Sequence, residues 1–110
     1  MAEYIYFDGL SEENKYIRYF IELNEETYVF IVRWNTYCNC AFLSIFDYNN
    51  NSIITSRALV NGLIIRNKNL PYNFIFTQVN DETYEPTLEN ISKEFALVYE
   101  TEEDSESESE

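Results

Sequence analysis

The chain of 110 residues is enough for one hydrophobic core but not for a domain with a large cleft. Ten Tyr and eight Phe, beside two Gly and two Pro, favour strands over helices. Of the formal charge of -13, seven acidic groups lie in residues 100–110, ETEEDSESESE, and residues 1–99 carry the remaining -6, so no basic face is offered to nucleic acid or to an anionic membrane.

The first segment, EYIYF at 3–7, reads as a short strand, and DGLSEENK turns the chain at Gly9. In YIRYFIEL, Tyr19, Ile21 and Leu23 fall on one side, with Phe20 and Glu22 on the other. ELNEETY reads as a hairpin connection. From Thr27 the alternation is strong: Tyr28, Phe30, Val32 and Trp34 face one way, and Thr27, Val29, Ile31, Arg33 and Asn35 the other. Both sides are apolar as far as Arg33, which predicts a central strand covered on both faces.

AFLSIFD predicts a second two-sided strand, with Phe42, Ser44 and Phe46 opposite Leu43, Ile45 and Asp47. DYNNN is a turn signal, because Asp and Asn tolerate left-handed backbone and bond to their own main chain. SIITSRAL continues the antiparallel meander. ALVNGLIIRNKNLPYN is less periodic, with a turn at NGL and Pro71 keeping its neighbourhood out of any central strand. FIFTQV, 74–79, and FALVY, 95–99, are strand-like, and the polar segment between them is expected to hold one helical turn around Thr87 to Ser92. No repeat or internal linker divides the body. The expected fold is all-β, a small antiparallel barrel or sandwich over residues 1–99, followed by a disordered acidic tail at 100–110.

Candidate chemistry is sparse. Cys38 and Cys40 could share a metal only between subunits, since a structural zinc needs four ligands and the chain has no His and no third Cys. In an extended segment both thiols would point to one face, too far apart for a disulfide, so both are expected to be free cysteines near a strand end with no part in function. Without histidine, general acid–base catalysis lacks its best-tuned side chain. Asp8, Asp47, Asp81 and Asp104 lie in turn-like or tail segments, and no carboxylate pair stands out. Ser44 has neither a nucleophile elbow nor a His partner, and two glycines make no phosphate cradle. The expectation is a non-enzyme with no metal, cofactor or small-molecule substrate. Trp34 is expected in the core with its aromatic stripe, Arg33 has a planar fork able to pin an acidic neighbour, and Asn35 is placed to cap the following turn. The acidic residues Glu102, Glu103, Asp104, Glu106, Glu108 and Glu110 form either a solubilising end or an arm that meets a basic partner surface.

The stretch RYFIELNEETYVFIVRWNTYCNCAFLSIFDYNNNSIITSRALV, residues 18–60, resembles the plug proteins of contractile phage baseplates and related tail-like particles, including tail-like bacteriocins. In that family an F-x-V-x-L strand and a tight turn lead to Y-x-F-x-L-R-W-N, then to a strand ending in an aromatic-Asp turn. Phe20, Ile21 and Leu23, then Tyr28, Phe30, Val32, Arg33, Trp34 and Asn35, fall on the first part. Phe42, Leu43, Ile45, Phe46 and Asp47 fall on the second, Leu59 to Gly62 follow, and Leu97-Val98-Tyr99 resembles the closing L-V-Y. Arg33, Trp34, Asn35 and Asp47 are thus the family-motif residues. Asn50-Asn51 replaces the frequent D-G turn, and residues 63–94 match poorly.

The resemblance implies a non-enzymatic part of a baseplate, packing at the axis against hub and spike proteins in several copies. Such a protein would be assembled in a bacterial cytoplasm and reside in the particle, in keeping with an N-terminus, MAEYIYFDGL, that lacks signal-peptide features, and with apolar runs too short to span a bilayer. The competing reading is a small acidic binding or inhibitor protein; mimicry of nucleic acid, however, requires acids spread over a rigid face.

Overall fold

The computed structural model describes residues 2–79 and 85–100. Its elements are β1 (Ala2–Ile5), β2 (Tyr16–Leu23), β3 (Glu26–Asn35), β4 (Cys40–Asp47), β5 (Ser52–Ala58), β6 (Leu63–Ile65), β7 (Phe74–Gln78), α1 (Ile91–Glu94) and β8 (Phe95–Glu100). They form two four-stranded sheets, ordered β2-β3-β4-β5 and β1-β8-β7-β6, and every pairing is antiparallel. Of the expected architectures the closed barrel does not form. A physical reason is the shortness of the second sheet's end strands: β1 has four residues and β6 three, too little ladder to close against the longer β2 and β5.

Turn chemistry fixes the first sheet. Leu23 pairs with Glu26, so Asn24 and Glu25 form a two-residue hairpin loop, and both have positive φ, 50° and 69°. That is the primed geometry whose twist matches the flanking strands. At the far end of β4, the Asp47 carbonyl accepts from Asn50 N–H at 3.0 Å and the Asp47 N–H donates to the Asn51 carbonyl at 3.0 Å. Between β4 and β5 the register slips: Leu43 and Ile45 oppose Arg57 and Ile54, leaving an extra residue on β5. Ser56 sits there at φ 47°, and its N–H donates to Ser44 Oγ at 3.0 Å, which offsets part of the cost of left-handed backbone.

The inner faces of both sheets share one core. Phe30 of β3 meets Phe74 of β7 edge-on at 5.9 Å, and Phe76 stacks on Phe95 at 5.4 Å and on Phe7 at 6.2 Å. Each of these rings is fully buried, worth about 1.5–3 kcal/mol of transfer free energy apiece. Gln78 is buried as well, and its Nε2 donates to Glu94 Oε1 at 3.3 Å while Asn61 Oδ1 accepts from its N–H at 3.3 Å.

One expectation is corrected. The strands β3 and β4 are covered on one side only: Tyr28, Phe30, Val32, Trp34, Leu43 and Ile45 are buried, whereas Val29, Ile31, Phe42 and Phe46 remain partly exposed. The helical turn expected around Thr87 to Ser92 is present, since Ile91 N–H donates to the Thr87 carbonyl at 2.9 Å and Asn90 Oδ1 accepts from Thr87 N–H at 2.7 Å, but it runs on past Ser92 as a short helix from Ile91 to Glu94. The expected acidic tail, like Asp81, lies outside the described residues apart from Glu100, which closes β8.

Candidate functional site

The motif residues occupy the two ends of the β3–β4 hairpin. Alternation along β3 sends Trp34 into the core, where it is 7% exposed, while Arg33 is exposed on the opposite face. Trp34 N–H donates to the Lys15 carbonyl at 2.8 Å, tying the end of β3 to the residue preceding β2. Asn35 closes the strand: its Oδ1 accepts from Tyr37 N–H at 2.9 Å and Cys38 N–H at 3.4 Å, which folds the chain back toward β4. Asp47 lies opposite Tyr28, six residues before Trp34 along β3. At the rise of an antiparallel strand that is roughly 20 Å away. Arg33, Trp34 and Asn35 therefore do not converge with Asp47 on one site; the first three shape one end of the hairpin and Asp47 shapes the other.

Asp47 is an anchor for its turn. Its Oδ1 accepts from Asn51 N–H at 2.8 Å and its Oδ2 from the Asn51 amide at 3.1 Å. These bonds, the backbone one foremost, hold its carboxyl below the usual carboxylate range. The group is needed charged and static, which suits a turn and not a proton-transferring acid. Across the pair, the buried Tyr28 phenol is pushed up by desolvation, with Glu26 and Asp47 adding to the shift.

The cysteine segment is not extended. Residues 36–39 are a turn with Asn39 at φ 54°, and this brings Cys38 Sγ to 3.1 Å from Cys40 Sγ. Burial, then the bond to Cys38, raises the Cys40 thiol to about 11, so it stays protonated at neutral pH and is a poor nucleophile or metal ligand. Among the described residues no group of three or more His, Cys, Asp or Glu could hold a metal. Beside Trp34 a shallow cleft of about 350 Å³ is lined by Lys15, Thr36, Asn39 and residues 86–89. It presents a Lys15–Glu12 pair at 4.0 Å and no histidine.

What sequence reasoning missed is the outward face of the first sheet. The signal was present in Phe20, Val29, Ile31, Phe42 and Phe46, apolar residues at alternate positions, but two apolar sides were read as two covered sides. An aromatic core, polar turns and partly exposed apolar side chains on an open sheet face suit a protein that packs against a partner. The family model described as the cyanophage baseplate Pam3 plug gp18 matches residues 4–103. The chain belongs to that family, and it is a non-enzymatic structural plug protein of a phage tail baseplate. Among curated proteins no match is found.

Proposed function

We propose that this chain closes the central hub of a contractile phage or tail-like particle, packing against hub and spike proteins in several copies around the tail axis. The family match over nearly the whole body carries this reading. Physical features support it. A plug has to be held by contact alone, and this fold combines a single aromatic core with outward-facing Tyr, Phe and Ile side chains on both sheets. In this reading Arg33, Trp34, Asn35 and Asp47 serve the scaffold: Trp34 and Asn35 set one hairpin end, Asp47 the other, and Arg33 alone is directed outward.

The acidic residues Glu102, Glu103, Asp104, Glu106, Glu108 and Glu110 are proposed to meet basic groups on a hub or spike protein, with assembly taking place in the bacterial cytoplasm before release in the particle. Purifying particles from cells expressing a tagged chain tests the reading. Retention of the chain in tail or baseplate fractions through density-gradient separation is the expected result. Recovery solely in the soluble fraction, with complete particles formed without it, would favour the alternative of a small acidic inhibitor.

A further inference from the structure

We propose that the outward face of the β2-β3-β4-β5 sheet is the surface by which this plug docks, and that its partner is a protein surface apolar at the centre and bearing carboxylates. The inference rests on the plug reading and adds to it the face used and the chemistry met there. Strand register sets the face out in three rows: Tyr16, Arg33, Phe42 and Ala58; Arg18, Ile31 and Ser44; and Phe20, Val29, Phe46 and Ser52. Phe20 is 64% exposed and Tyr16 51%, unusual for rings that could have been polar at no cost to the core. Aromatic and arginine side chains are the types that dominate binding energy where they become desolvated.

Charge decides the partner. The chain carries -13 overall, yet this face has two exposed arginines, Arg18 and Arg33, and one carboxylate, Glu22, at its hairpin end. Arg18 lies over the Phe20 ring at 5.5 Å, and neither arginine has an ion-pair partner among the described residues. A guanidinium fork on an apolar sheet matches a carboxylate bidentately. A second copy of the chain would bring the same arginines and another charge of -13. Nucleic acid would find too few cations. The second sheet also shows a row of apolar residues, Tyr4, Val98, Ile75 and Ile64, but it is a single row, and its one neighbouring arginine, Arg66, lines a groove that also holds the Glu100 carboxylate.

The test compares particles assembled with wild-type chain, with Phe20→Ser, with the double variant Arg18→Glu/Arg33→Glu, and with Ile64→Ser on the other sheet. Purified chains are first checked for an unchanged thermal transition, since all four sites are exposed. Docking through this face predicts about tenfold or greater loss of particle occupancy for Phe20→Ser and for the double variant, and near-normal occupancy for Ile64→Ser. Wild-type occupancy by the folded Phe20→Ser and double variants would overturn the assignment. So would selective loss on Ile64→Ser. Self-association of the isolated chain that Phe20→Ser abolishes would reassign the face to a second copy. Absence of the wild-type chain from particles is a separate result, and it defeats the plug reading itself.

Discussion

Trp34 is where a family-motif residue and a core residue coincide. It is buried at the end of the Tyr28-Phe30-Val32 stripe, and truncation to Ala removes a large side chain from a packed layer. A loss of about 3–5 kcal/mol in denaturant melts is expected, and a loss below about 1 kcal/mol would show that the surroundings collapse onto the site or that the ring packs little. Asp47 acts through charge and geometry instead. Its folded carboxyl titrates lower than in the unfolded chain, so its contribution is complete above the unfolded value near pH 4 and is lost as pH falls through the folded one. Asp47→Ala is therefore expected to lower the melting temperature at pH 7, and the gap to wild type is expected to narrow below about pH 4. A gap independent of pH would mean that Asp47 contributes nothing through its ionised form.

At the scale of elements, strands with strict alternation were legible, and so was the short β1, whereas the three-residue β6 was not. The chain from Tyr28 to Trp34 announces β3 because four large apolar residues recur at period two. Leu63–Ile65 does not announce β6: three residues give no period, and the strand exists because Leu63, Ile64 and Ile65 find Phe76, Ile75 and Phe74 across the ladder. The two-sided reading of β3 and β4 fails for a reason that bears on function, since an apolar outer face cannot be told from a covered one before the partner is known. The cysteines are free and lie at a strand end, as expected, but the closeness of their thiols was not legible because Asn39 takes a left-handed conformation that no pattern of period two signals.

The hairpin between β2 and β3 offers a test of turn chemistry. Glu25 holds φ 69° at the second loop position, where glycine is free of steric cost. Glu25→Gly is expected to stabilise the fold by about 1 kcal/mol, measured by chemical denaturation. A destabilisation of similar size would show that the loop does not hold the primed geometry.

At the scale of the whole molecule we propose a division between a body whose strands pair with one another and an acidic end whose sequence has no apolar residue with which to extend the core. Residues 101–110 contain six carboxylates and no cation, so their mutual repulsion opposes packing. Deleting them is expected to leave the melting temperature of the body nearly unchanged, while weakening incorporation into particles most at low salt, where charges are least screened. A collapse of the fold on deletion would refute the division. Equal incorporation across a salt series would reduce the acidic end to a solubilising role.

We propose that this two-sheet body sits as a plug at the axis of the tail baseplate. Electron cryo-microscopy of the intact particle, with wild-type chain and with the gene deleted, measures it most directly. The account predicts density for two four-stranded antiparallel sheets on the tail axis at the hub, present with the wild-type gene and missing without it, with the β2-β3-β4-β5 face against protein. Identical axial density in both reconstructions, or the chain located away from the baseplate, would contradict it.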